Sequence, residues 1–112
     1  MSRSFLHPLP WCVLALAAVL AADDPAVRMP LTIKDHRFVP AEVHVPAGKA
    51  VVLELTNQDD QAEEFESHPL GVEKVIPAGG KVDVRLRPLK AGTYPFVGEY
   101  HEATAKGSVV AE

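Results

Sequence analysis

The sequence predicts an all-β Greek-key sandwich of about seven to eight strands, and three observations lead to this expectation. Short apolar runs with period-two alternation recur along the chain, whereas long helical periodicity is absent. Segments that contain Pro and Gly, which favour tight turns, separate these runs. The 112 residues are too few for two ordinary domains. These features are typical of a single small sandwich or barrel.

Residues 1–22 have the pattern of a secretory signal peptide. A basic start with Arg3 precedes an apolar run, residues 11–22, which Asp23 ends. The run is shorter than the ~20 residues that a helix needs to cross a bilayer core. Small residues before the acidic stop predict cleavage after Ala21 or Ala22. We therefore expect an exported protein with one domain, residues 23–112; a retained membrane anchor or a buried helix is the alternative interpretation.

Cleavage of this segment would change the charge and the cysteine content of the chain. Loss of Arg3 takes the net charge from −4 to −5, and the only cysteine, Cys12, leaves as well. A mildly acidic surface argues against a nucleic acid or an anionic membrane as partner. Without disulfides, the stability of the domain must come from a packed core.

The strands are predicted in order from the apolar residues of each run. These residues are Leu31 and Ile33, Phe38, Val43 and Val45, Val51, Leu53 and Leu55, Val82, Val84 and Leu86, Tyr94 and Phe96, and Val109. Polar residues alternate with most of them, which predicts strands with one buried face. Two polar segments, residues 57–70 and 98–106, break the alternation, and we expect long functional loops there.

The order of these parts resembles the cupredoxin family from about Met29 to Glu112. The resemblance rests on Val-His-Val-Pro-Ala-Gly at residues 43–48, Asn-Gln-Asp at 57–59 and Gly-Thr-Tyr-Pro-Phe at 92–96. Copper-binding members carry Cys-x-x-His-x-x-Met in the last loop. When the chain is aligned on His101, Gly98 takes the Cys position and Thr104 takes the Met position. A blue-copper site needs a thiolate, so removal of Cys12 with the signal peptide would exclude one.

A subgroup of this family is more similar still. Glu-Phe-Glu at residues 64–66 and Gly-Glu-Tyr-His at 98–101 resemble EfeO-type cupredoxin domains and the small periplasmic cupredoxins encoded with Ftr-type iron permeases. The resemblance implies a periplasmic accessory role in iron uptake, with a bound iron or copper ion. The implied partners are an inner-membrane iron permease or other periplasmic iron-uptake proteins.

Carboxylates and imidazoles concentrate in the two predicted loops, which meet at one end of a cupredoxin sandwich. An extended chain would project Glu64, Glu66 and His68 to one face. Such ligands suit Fe(III), Mn(II), Cu(II) or Zn(II) rather than Cu(I). The predicted metal ligands are Glu64, Glu66, Glu99 and His101, with His68 and Glu102 as further candidates. Glu63 is expected in a solvated acidic run, and His36 and His44 on the surface away from these loops.

Catalysis is not predicted. The sequence has no Ser-His-Asp order, no Gly-rich phosphate loop and no HExxH motif. A metal-free interaction module for a membrane permease or oxidase is the alternative function. Uptake of a metal ion by the purified domain distinguishes the two hypotheses.

Overall fold

Two β-sheets form the fold in the computed structural model, which describes residues 25–112. The strands are β1 (Val27–Lys34), β2 (Arg37–Val39), β3 (Glu42–Val45), β4 (Val51–Asn57), β5 (Glu63–Ser67), β6 (Val72–Ile76), β7 (Lys81–Leu86), β8 (Gly92–Gly98) and β9 (Lys106–Ala111). A 3₁₀ helix, Glu99–His101, follows β8 directly. The first sheet has the order β2-β1-β4-β7 and the second β3-β9-β8-β5-β6. The predicted signal peptide and Cys12 lie outside the described residues.

Both sheets are mixed. In the first sheet β1 pairs in parallel with β4, and in the second β3 pairs in parallel with β9. The remaining pairs are antiparallel. The predicted all-β Greek-key sandwich is confirmed, with nine strands where seven to eight were expected. Within residues 25–112 no helix is long and apolar enough to span a membrane.

The core lies between the inner faces of the two sheets. Alternating residues such as Leu31 and Ile33 of β1 are fully buried there, because successive side chains of a strand point to opposite faces. Phe38, Phe65 and Phe96 form its aromatic centre. The ring of Phe96 lies 4.9 Å from each of the other two rings, centroid to centroid. Aromatic packing of this kind joins the first sheet to the second.

The prediction of a loop at residues 57–70 was wrong in part, because this segment contains β5. Glu63, Phe65 and Ser67 point inward and are buried, whereas Glu64 and Glu66 point outward. Two of the three inward positions are polar, so the apolar alternation that marks a strand is missing from the sequence. The other predicted loop, residues 98–106, is confirmed. Only the 3₁₀ helix and a turn lie between the last residue of β8 and the first residue of β9.

The hairpin between β1 and β2 has an unusual turn. Asp35 and His36 both adopt left-handed backbone angles, with φ of 52° and 57°. The carboxylate of Asp59 accepts hydrogen bonds from both backbone N–H groups, at 2.8 and 2.9 Å. Because Asp59 follows β4, this contact holds the turn against the end of the sandwich where the polar segments lie.

Candidate functional site

Four carboxylates meet on the outer face of the second sheet. Glu64 and Glu66 extend from β5, Glu73 extends from β6, and Glu99 follows β8. Each can offer an oxygen atom within 4.8 Å of those of the other three. We call these four residues the outer carboxylate cluster. Strand register explains the arrangement, because Glu66 pairs directly with Glu73 across β5 and β6, and β8 pairs with β5 on the other side.

Contacts among these carboxyl groups raise the pKa values of two of them, Glu64 and Glu99. The neighbouring carboxyl group of Glu99 raises the pKa of Glu64, and partial burial adds to the effect. By itself, the contact with Glu64 lowers the pKa of Glu99. The contact with Glu66, partial burial and repulsion from Glu66 and Glu73 outweigh it, so the pKa of Glu99 is raised as well. Raised carboxyl pKa values mean that the cluster favours a shared proton or a bound cation.

We expect Glu99→Gln to raise the melting temperature of the metal-free protein at neutral pH. A carboxyl group with a raised folded-state pKa binds its proton more readily in the folded chain. The wild-type protein therefore gains stability as the pH falls through that pKa and loses stability above it. The uncharged amide removes the repulsion, so the advantage of the variant should fade toward acid pH. Thermal melts from about pH 4 to about pH 8 measure this. A lower melting temperature for the variant at neutral pH would contradict the prediction.

A separate pair of ionisable groups, Glu63 and His101, lies on the inner side of β5. Glu63 is only 1% exposed, and its Oε1 accepts hydrogen bonds from the backbone N–H groups of Glu64, at 3.0 Å, and Tyr100, at 2.9 Å. The Nδ1 atom of His101 donates to its Oε2 at 2.5 Å. The other ring nitrogen of His101, Nε2, lies 3.1 Å from Oε1 of Gln61. The pair formed by Glu63 and His101, here the inner pair, ties β5 to the 3₁₀ segment.

The imidazole of His36 stacks on that of His101. Their ring centroids are 3.6 Å apart and the rings are inclined by 16°. The hydroxyl of Thr104 donates to the backbone carbonyl of His36 at 2.6 Å. Burial raises the pKa of nearby Asp59, but the N–H groups of His36 and Asp35 outweigh burial and lower it. The left-handed turn between β1 and β2 therefore contributes one wall of this end of the sandwich.

The structure brings together three of the four predicted metal ligands, Glu64, Glu66 and Glu99. It places the fourth, His101, on the inner side of β5 against Glu63. Sequence reasoning missed Glu73. The signal that could have found it is the hairpin register of β5 and β6, which places Glu73 opposite Glu66.

The two further candidates lie beside the cluster and do not belong to it. His68 lines a groove of about 310 Å³ together with Glu66 and Glu73. Glu102 lines a second cavity, of about 260 Å³, together with His68 and Glu66. His68 and Glu102 therefore line cavities next to the outer carboxylate cluster.

Two expectations for individual residues were wrong and one is confirmed. Glu63 is buried, because three hydrogen bonds stabilise its carboxylate inside the sandwich. His36 does not lie away from the loops, because the turn between β1 and β2 carries it onto His101. His44 lies on the surface as expected, where its imidazole contacts the carboxylate of Glu112.

The residues at the copper position of this fold do not fit a copper ion. A Cβ atom at Gly98 would lie 2.7 Å from Cδ of Glu63 and 2.6 Å from Cβ of Ala105, closer than real Cβ contacts allow. The Glu63 carboxyl group therefore takes the space that a ligand at residue 98 would need. The imidazole of His101 is hydrogen-bonded to the same carboxyl group, and the hydroxyl of Thr104 is bonded to His36.

Comparisons with known proteins agree with this architecture. A family model described as a cupredoxin-like domain matches residues 6–111. An uncharacterized protein of Rickettsia prowazekii (strain Madrid E) is 41% identical over 88 residues, which cover 79% of this chain and 70% of that protein.

Solved structures with a similar fold include copper proteins. Auracyanin A, a "blue" copper protein of Chloroflexus aurantiacus, has a TM-score of 0.66 and 16% identity, covering 78% of this chain and 99% of that chain. The metal binding domain of the Cu(I) exporting P-type ATPase CopA of Streptococcus pneumoniae D39 has a TM-score of 0.65 and 15% identity, covering 76% and 84%. Amicyanin of Paracoccus versutus has a TM-score of 0.60 and 19% identity, covering 82% and 88%. At these identities the similarity establishes the fold alone.

Proposed function

The chain belongs to the cupredoxin-like domain family, and from this premise we propose that it is a metal-binding accessory protein of iron uptake. The ion binds at the outer carboxylate cluster and not at the copper position of the fold. One observation carries the proposal: carboxylates from β5, β6 and the end of β8 offer oxygen atoms within 4.8 Å of one another.

The chemistry of the cluster determines which ions it suits. Its donors are all carboxylate oxygens, which are hard ligands. Hard or borderline ions such as Fe(III), Mn(II) and Cu(II) bind such donors better than Cu(I) does. A cation also removes the repulsion that raises the pKa values of Glu64 and Glu99. Of the two ions that the family resemblance implies, iron suits this all-oxygen donor set better than copper.

Because the outer carboxylate cluster is partly exposed, it is better suited to carrying a metal ion to a partner than to holding one permanently. Glu73 and Glu99 are exposed, and Glu64 and Glu66 are half-buried. An ion bound there stays within reach of a partner that could accept it. We place the protein in the periplasm beside an inner-membrane iron permease. The signal-like residues 1–22 and the resemblance of residues 64–66 and 98–101 to cupredoxins encoded with such permeases support this placement.

The proposal is tested by calorimetric titration of the domain spanning residues 23–112. The probes are Mn(II), Cu(II) and Fe(III) supplied as its citrate chelate. We expect about one ion per chain, because the four carboxylates form a single group. We also expect affinity to fall at acid pH, since the ligands must be deprotonated. If none of the three probes binds, an interaction module without metal replaces this function.

A further inference from the structure

We infer that Glu63 is a specificity-determining residue that keeps the copper position of this fold closed. The inference concerns the inner side of β5 and goes beyond the function proposed for the outer carboxylate cluster. It rests on two observations. The Glu63 carboxyl group fills the volume next to Gly98, and the same group holds the ring nitrogen of His101 that faces this volume.

The first step is steric. Gly98 is buried, and an added Cβ atom would lie 2.7 Å from Cδ and 2.9 Å from Oε1 of Glu63. The carboxylate cannot swing aside at low cost, because three hydrogen bonds hold it and it is 1% exposed. A side chain at residue 98 and a glutamate at residue 63 therefore compete for one space. Ala105 narrows the same space, because its Cβ atom would lie 2.6 Å from the added atom. Glutamate at residue 63 and Ala105 together therefore require glycine at residue 98.

The second step concerns ligand direction. Nδ1 of His101 and the direction of a side chain at residue 98 converge on the Glu63 carboxyl group. A blue-copper site is built from one thiolate and two imidazoles around such a point. Here a hydrogen-bonded carboxylate and imidazole occupy that point and tie β5 to the 3₁₀ segment, as a copper ion would. The inner pair therefore replaces the ion in its structural role and excludes soft metals from this position.

The third step identifies the ligand changes that would reopen the position once the close contact with Ala105 is removed. Replacing Glu63 by histidine removes the carboxylate and supplies an imidazole from the same backbone position. Replacing Gly98 by cysteine then supplies the thiolate. Neither substitution alone is sufficient, because Gly98→Cys leaves the carboxylate in place and Glu63→His leaves the site without sulfur.

The experiment compares Cu(II) spectra of Glu63→His, Gly98→Cys and the double variant, each in an Ala105→Gly background that removes the second close contact at residue 98. We expect an intense visible thiolate-to-copper absorption band in the double variant alone, with the small hyperfine splitting of a blue site in its spin-resonance spectrum. Glu63→His is the matched control, because it retains the outer carboxylate cluster and any weak colour that copper has there. An intense band from Gly98→Cys alone would overturn the inference, because copper would then bind beside Glu63.

If the double variant does not fold, an experiment on the wild-type protein tests the same inference. Cu(I) is added under anaerobic conditions while the imidazole signals of His101 are followed by NMR. The signals should stay unchanged at a closed position. A shift of the His101 signals with stoichiometric Cu(I) would show that Glu63 does not close the position.

Discussion

Glu63→Ala is expected to destabilise the domain by about 3–5 kcal/mol, because each buried donor left without its acceptor costs roughly 1–3 kcal/mol. The substitution leaves the N–H groups of Glu64 and Tyr100 and Nδ1 of His101 without their acceptor. In a domain of this size about 1 kcal/mol corresponds to a change of roughly 4–8 °C in melting temperature. The melting temperature should therefore fall by more than about 12 °C. Thermal melts and urea unfolding measure the effect.

Glu42→Ala is the control for this prediction. Glu42 is exposed on β3, and its carboxylate lies 3.8 Å from the ring of His44. Exposed pairs of this kind contribute less than about 1 kcal/mol. Glu63→Gln should fall between the two, because the amide oxygen keeps an acceptor but the charge is lost. Equal costs for Glu63→Ala and Glu42→Ala would mean that the inner pair does not hold β5 to the 3₁₀ segment.

The second large effect is expected in the stability that a bound ion adds. At a free-ion concentration of about 100 times the dissociation constant, binding to the folded chain alone adds about 2.7 kcal/mol. The double substitution Glu66→Gln and Glu73→Gln should abolish this gain, because Gln keeps the side-chain shape and loses the charge that holds a hard cation. Melts with and without Mn(II), and with and without Fe(III) citrate, measure the gain for each protein.

The matched control is Glu42→Gln, which makes the same chemical change on β3, at the opposite edge of the second sheet. It should retain the full gain. His68→Ala and Glu102→Gln should retain it as well, since these residues line neighbouring cavities and do not belong to the cluster. Loss of the gain in either variant would show that the ligand set extends beyond the four carboxylates. An equal, small loss in all variants would indicate diffuse binding to the acidic surface.

The fold could be predicted from the sequence wherever inward positions are apolar. Leu53 and Leu55 of β4 alternate with the polar residues Glu54 and Thr56, and both leucines are buried in the core. β5 escaped prediction because Glu63 and Ser67 occupy inward positions, where hydrogen bonds take the place of apolar contacts. A polar residue at an inward position interrupts the apolar alternation in the sequence. The strand that carries it is nevertheless as regular as a strand with apolar inward residues.

The candidate site also contains some residues that the sequence predicts and others that it does not. Glu64 and Glu66 could be found from local alternation, because two residues on one strand share a face. Glu73 and Glu99 join them through strand register, which the sequence does not display. The contact of His36 with His101 depends on two left-handed residues in a tight turn, and neither is glycine. Non-glycine residues seldom adopt this conformation, so no sequence rule points to the contact.

The parallel pairing of β3 with β9 bears on when the chain can fold. Val43 pairs with Val109, and the backbone N–H of Glu112 donates to the carbonyl of Val45, so an early strand depends on the last residues for its neighbour. Strand partners so distant in sequence slow folding, because the entropy cost of closing the loop between them comes before the stabilising contacts form. A chain still being synthesised could therefore not complete the second sheet until residues 106–111 are available.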